Sequence, residues 1–286
     1  MGAPKCGTTA LYEFLGQHPQ IFLPNKKELL MFGSDLSYPT RLSDEEFLAH
    51  FADRRGERRV GSAHTAYLQS TRAAREIKAR RPDADIIVML RNPVEMLYSW
   101  HSELVYETIE DIQDFEAALD AETDRRRGGR VPRSARNSYV ESLYYTDVAA
   151  FSDQVTRYFD VFGRSHVHVI IHDDLRANPE AEYRKTLDFL HVDATFVPEF
   201  AVHNANKVVR SRVLQRLYFG TWAPGHRTIR SLLPARVRQK LLAMNARSEP
   251  RPEIPPRVRQ RLQRQFDDEV ARLSALLDRD LSGWIG

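Results

Sequence analysis

Apolar residues fall along this chain in two rhythms, and their alternation predicts a mixed fold. Asp85-Ile-Ile-Val-Met-Leu90 is a continuous run rich in β-branched residues, short enough for a strand buried on both faces of a parallel sheet. His166-Val-His-Val-Ile-Ile171 predicts a second strand. After the first run, Pro93 opens a helix that carries Met96, Leu97 and Trp100 on one side. A helix is also predicted from Thr8 or Thr9 through Tyr12, Phe14 and Leu15 to about Gly16, with a glycine stop. Another spans Pro256 to Leu277, where Val258, Leu262, Phe266, Val270, Leu273 and Leu277 recur at helical spacing. Strands alternating with helices over 286 residues predict a single α/β domain, residues 1–286, with a central parallel sheet.

The first helix is preceded by Gly2-Ala3-Pro4-Lys5-Cys6-Gly7-Thr8-Thr9-Ala10, in which two glycines are spaced as in a phosphate-binding loop. In such a loop, successive backbone N–H groups and the positive end of the following helix converge on an anion. The fold expected is therefore a P-loop NTPase-like three-layer arrangement with helices flanking the sheet. A nucleoside triphosphatase would place lysine where Thr8 stands, followed by a hydroxyl for magnesium. Here the cation has moved back to Lys5, which suits the holding of one phosphate and assistance to a transfer without a metal. An ordinary strand-to-helix turn is the plainer alternative.

Arg91 follows the strand 85–90, and Ser99 lies about two turns into the next helix. Both are placed to reach one anion in the crevice at the carboxyl end of the sheet. The plainer alternative is a surface ion pair for Arg91 and a solvent-facing Ser99.

Together, P-K-C-G-T-T-A-L at residues 4–11, K-E-L-L-M-F at 27–32 and L-R-N-P-V-E-M-L-Y-S-W at 90–100 resemble the sulfotransferases that use 3′-phosphoadenosine 5′-phosphosulfate (PAPS). The likeness is to bacterial members related to the sulfotransferase domains of heparan sulfate biosynthesis. It implies that Lys5, Cys6, Gly7, Thr8, Thr9 and Ala10 bind the 5′ side of the donor, and that Arg91 and Ser99 bind its 3′-phosphate. It also implies a late loop over the donor, with Lys207 and Arg210 as further 3′-phosphate ligands. Gly61-Ser-Ala-His-Thr-Ala-Tyr-Leu68 resembles the family's intervening segment, with Ser62 where the family often has glutamate. Ser142-Leu-Tyr-Tyr145, Asp173-Asp-Leu175 and Leu281-Ser-Gly-Trp284 extend the resemblance along the chain. The product left by such a transfer is 3′-phosphoadenosine 5′-phosphate (PAP).

A hydroxyl or amine that accepts the sulfuryl group must lose a proton. The family pattern implies Glu28 as the base, and a carboxylate suits that task when it lies within reach of the acceptor. The structural alternative is a helix-start carboxylate. His64 is the rival base, since imidazole transfers protons near neutrality. His166 and His168 alternate on a strand, but no cysteine or carboxylate cluster completes a zinc site, so no metal is implied.

Composition narrows the rest. The chain is 42% hydrophobic, enough for a sizeable core, and no long uncharged apolar run predicts a transmembrane helix. The lone Cys6 cannot form an internal disulfide, and no charged-then-apolar leader precedes the loop, so a cytoplasmic enzyme is expected. Cys6 at a helix start is either a low-pKa thiol or a small loop filler, the second being preferred. Residues 207–264 hold 15 Lys or Arg against two acids, a local +13 in a chain of net +3. That segment suits the donor, an anionic acceptor or an acidic membrane surface. Nucleic acid is not expected, because no recognised binding module accompanies the charge.

Two stretches read as variable acceptor-side segments, 103–137 and 222–256. The first includes Arg125-Arg-Arg-Gly-Gly-Arg130, expected to be exposed and mobile. The acceptor class stays broad: small molecule, lipid or glycan. The alternatives are a nucleotide kinase or NTPase-like phosphotransferase, and a non-catalytic nucleotide-binding or membrane-surface protein. No pattern specifies an oligomeric state. One departure concerns the fold: the phosphate loop should follow a buried strand, yet only Met1 precedes Gly2. Either the start of the chain has been shortened, which is the expectation, or the sheet lacks a member.

Overall fold

The computed structural model describes residues 1–136, 138–200 and 251–286, with the backbone alone of 207–209 and 246–248. In chain order the principal elements begin with α1 (Thr8–Gly16), β1 (Ile21–Phe22), β2 (Arg59–Val60), α2 (Ala73–Arg80) and β3 (Ile86–Leu90). They continue with α3 (Pro93–Tyr106), α4 (Phe151–Phe162), β4 (Val167–Ile171), α5 (His172–Ala177) and α6 (Pro179–Phe189). Then come β5 (Lys207–Val209), β6 (Ala246–Ser248) and α7 (Pro256–Leu277). The helices expected at 8–16, from Pro93 and at 256–277 are all present, as are both strands.

β3 and β4 pair in parallel, Ile86 opposite Val167 through Leu90 opposite Ile171. Val88, Met89, Leu90, Ile170 and Ile171 are fully or almost fully buried, the environment that a run without polar alternation requires. β1 and β2 form a separate parallel pair, and β5 and β6 an antiparallel one. Among the described residues, no helix is long and apolar enough to cross a membrane.

Met1–Ala3 pairs with β3 along the edge that β4 leaves free. Gly2 bridges Met89 in parallel, the Met1 nitrogen donates to the Ile87 carbonyl at 2.6 Å, Met89 N to the Met1 carbonyl at 3.2 Å, and Ala3 N to the Met89 carbonyl at 3.0 Å. β3 therefore has backbone partners on both sides. Only glycine fits at position 2, since a Cβ there would stand 2.8 Å from both Met89 Cβ and the Met89 carbonyl oxygen.

Helices cover the sheet. α4 packs against β3 and β4, α6 against β4, and α7 against α3 and α4. α3 is capped by Asn92, whose side-chain oxygen accepts from Val94 N and Glu95 N, with Pro93 in the first turn. Its buried face carries Val94, Met96, Leu97 and Leu104. α7 buries the predicted stripe Val258, Leu262, Phe266, Val270 and Leu273, while Leu277 is half-buried. From the same helix, buried Glu269 accepts from Ser152 N at 2.6 Å and Ser152 Oγ at 2.8 Å, setting a carboxylate at the N-terminus of α4.

The charge run at 125–130 departs from its expectation. Arg125 is 1% exposed, and its guanidinium makes two hydrogen bonds to Glu110, at 2.7 and 2.8 Å, while Tyr145 donates to the same carboxylate at 2.9 Å. The short helix Glu122–Arg126 turns that one arginine inward, where a paired carboxylate compensates its desolvation. Only the remainder of the run faces solvent. Residues 222–245 and 249–250 of the second variable segment lie outside the described residues.

Removing one member of this pair leaves a buried charge without compensation. Glu110→Ala is expected to lose about 3–5 kcal/mol in urea unfolding, and a variant as stable as the parent would refute the buried pairing.

Candidate active site

The chain leaves its pairing with β3 at Ala3 and turns through two left-handed residues, Lys5 at φ 61° and Gly7 at φ 85°. Gly7 is the N-cap of α1, no side chain caps that helix, and its first turn has no acidic residue. The amides of Thr8, Thr9 and Ala10 are thus left for an external acceptor, and the helix dipole favours an anion there. Position 7 tolerates little else, because a Cβ would stand 3.2 Å from the His172 ring in addition to its left-handed strain.

Arg91 emerges from the carboxyl end of β3, and its Nη1 donates to the Lys5 carbonyl at 3.3 Å. Ser99 is 3% exposed, and its hydroxyl has no hydrogen-bond partner among the described residues. A cation that sequence reasoning missed joins them. Arg251 lies over the Tyr98 ring at 5.7 Å, and burial together with the Arg91 charge pushes its guanidinium below the usual range. The charges of Arg91 and Arg251 thus oppose each other. The proposed ligand Lys207 lies in β5, whose backbone passes beside α3, and its side chain is outside the described residues; so is Arg210 altogether.

Glu28 is not in a helix. Its backbone is left-handed at φ 61°, and its N–H donates to the Ala63 carbonyl at 3.0 Å. The helix-start alternative is thereby removed. The carboxylate accepts from Thr65 N at 2.9 Å and pairs with Lys27 Nζ at 3.0 Å, and His64 Nδ1 stands 3.5 Å away. Burial pushes this carboxyl up, but Lys27, His64 and the Thr65 amide outweigh it and hold the group below the usual range. It is therefore ionised near neutral pH.

Lys27 is the second residue the sequence did not single out. Its Nζ also donates to Thr8 Oγ1 at 3.0 Å and Thr9 Oγ1 at 3.1 Å. One ammonium thus joins the first turn of the phosphate-loop helix to the candidate base. The hydroxyls of Thr8 and Thr9 face this lysine.

His64 is only 5% exposed, packed between the rings of Tyr67 and Tyr38 at 5.0 and 5.7 Å. Its Nδ1 accepts from Ala66 N at 3.2 Å, and burial lowers its pKa despite the neighbouring Glu28. Cys6 is fully buried, and burial pushes its thiol far above the usual range in spite of Arg91. It fills the loop, and a low-pKa thiol is excluded.

Lys5 does not extend freely. Its Nζ meets Glu103 Oε2 at 2.9 Å. Glu103 follows Ser99 by four residues and Glu107 follows by four more, so α3 brings these positions onto one stripe. That spacing was the available signal for both acids, hidden because solvated helix faces carry the same pattern. Among the described residues, no group of His, Cys, Asp or Glu could hold a metal ion.

This geometry can be set beside known proteins. Residues 1–221 match the sulfotransferase domain family, and the chain belongs to it. The crystal structure of a sulfotransferase from Alicyclobacillus acidocaldarius is similar over 99% of this chain and 96% of that one, at 30% identity and a TM-score of 0.74. The chain is 30% identical over 108 residues to the bifunctional heparan sulfate N-deacetylase/N-sulfotransferase 1 of Caenorhabditis briggsae, covering 36% of this chain and 12% of that protein. It is 30% identical over 95 residues to the membrane-associated sulfotransferase kil1 of Dictyostelium discoideum, covering 33% and 20% respectively. The matches therefore span a fifth or less of those two longer relatives.

Glu107 titrates across neutrality. Burial first, then Glu103 and Glu28, push its carboxyl up to about 7, against the opposing pull of Lys5. The folded pKa lies above the unfolded one of 4.5, so the stability linked to the protonated form is complete below 4.5 and lost as pH rises through 7. Glu107→Gln should therefore melt above the parent by a margin that widens from pH 5 to pH 8. A margin independent of pH would show that Glu107 ionises like an exposed glutamate.

Proposed function

We propose that this protein transfers a sulfuryl group from PAPS to a hydroxyl or amine of a small-molecule, lipid or glycan acceptor. The observation that carries this reading is the Lys27 bridge, which holds the phosphate-loop threonines and the Glu28 carboxylate in one network at 3.0–3.1 Å. An anion cradle and a proton acceptor side by side are what sulfuryl transfer requires. One relative is named for heparan sulfate N-sulfotransfer, which supports including heparan sulfate among the acceptors to be screened.

The residues present fit the donor. The uncapped amides of α1 suit its 5′-phosphosulfate, and Arg91, Ser99 and Arg251 suit its 3′-phosphate. The donor supplies an activated sulfuryl group. As the acceptor oxygen or nitrogen bonds to sulfur, the bond from sulfur to the phosphate oxygen breaks and PAP departs. Glu28 takes the acceptor proton, and Lys5 balances charge on the departing phosphate. Fixed cations and a fixed base lower the barrier because little reorganisation remains to be done. A triphosphatase reading lacks its lysine at Thr8.

Calorimetry should show PAP binding more tightly than ADP, with Arg91→Ala weakening PAP about tenfold or more, since a charge-assisted contact is worth about 1.5–3 kcal/mol. Equal affinity for ADP and PAP would defeat the 3′-phosphate assignment and favour a kinase. On an acceptor found with labelled donor, Glu28→Gln should abolish most turnover while PAP affinity is kept, because the base acts mainly in the transition state. Undiminished turnover would remove Glu28 from the mechanism.

A further inference from the structure

The structure assigns to Glu103 the role of resting counterion to Lys5, an ion pair that opens when the anionic 5′ group of the donor takes the lysine. This rests on the donor reading above.

The two cations nearest the loop are held differently. Lys27 is anchored by Thr8, Thr9 and Glu28 together. Lys5 has Glu103 as its only side-chain partner among the described residues, at 2.9 Å. The Lys5 and Glu103 side chains are 27% and 34% exposed, so the pair is screened by water and can break at small cost. Backbone geometry assigns the lysine to the loop, since Lys5 occupies one of its two left-handed positions and its carbonyl is tied to Arg91.

Glu103 sits one turn beyond Ser99 on α3, so the helix that supplies a 3′-phosphate hydroxyl also supplies the group that competes for Lys5. Its charge is not fully quenched by that lysine. Glu107, one turn further, is raised in part by Glu103. A ligand must therefore displace a carboxylate from Lys5, and only a ligand with an anionic 5′ group recovers the interaction. Glu103 lowers affinity for every ligand that recruits Lys5, and because its charge also supports that of Arg251 it bears on the 3′ end in the opposite sense. It acts through Lys5 as a positioning residue and touches no reacting atom.

The test is calorimetry with PAP and with adenosine 3′-monophosphate, which lacks the 5′ charge, on the parent, Glu103→Gln, Lys5→Ala and the double variant. Glu103→Gln should bind PAP about two- to fivefold more tightly, the worth of a partly exposed ion pair, and should bring adenosine 3′-monophosphate no gain. In the Lys5→Ala background the gain should vanish. Glu103→Asp, with a shorter arm, should fall between parent and Glu103→Gln, and it serves in place of the glutamine variant if that one fails to fold. Unchanged or weakened PAP binding in Glu103→Gln overturns the proposal, as does an equal gain with the 5′-uncharged ligand or without Lys5. A parent that binds PAP no better than ADP defeats the donor reading instead, and this proposal with it.

Discussion

The site depends on three residues of parallel strand. Met1–Ala3 hydrogen-bond to both sides of Met89 and so fix where the chain leaves the sheet. From that point the loop 4–7 turns within reach of Arg91, which leaves the neighbouring strand at the same end. Carboxyl ends of parallel strands gather such groups because each connection to the following helix begins there. The glycine at position 2 is part of the same constraint, since any side chain would collide with the Met89 backbone. Without this pairing, the loop and the arginine would have no common frame.

Around that frame, lysines and carboxylates neutralise one another in two separate pairs. Lys27 with Glu28 ties the loop helix to the candidate base, while Lys5 with Glu103 ties the loop to α3. The arginines differ: Arg91 leans on a backbone carbonyl, and Arg251 has its charge disfavoured by burial and then by Arg91. The lysines of the cleft are thus each held by a carboxylate, while the two arginine charges oppose each other.

Much of this was legible in residue order. The buried strand 86–90, the capped helix from Pro93 and the stripe of 256–277 follow from hydrophobic spacing, and the loop and its arginine follow from glycine spacing and strand-end position. What failed were questions of partnership. Arg125 read as a solvated charge because its partner Glu110 lies 15 residues away, across a turn that no local pattern specifies. For Cys6 the preferred reading as a loop filler held, although only the fold shows the burial that overrides the helix dipole.

The sequence by itself determined which segments could be strands or helices and which residue types could hold anions or move a proton, because these depend on periodicity and side-chain chemistry. Only the tertiary structure decided how the charges are shared: Lys27 between two threonines and Glu28, Lys5 with Glu103 98 residues away, and His64 with its pKa lowered by burial. The physical reason is that a charge's partner and its exposure are set by packing between distant segments, and spacing along the chain carries no record of either.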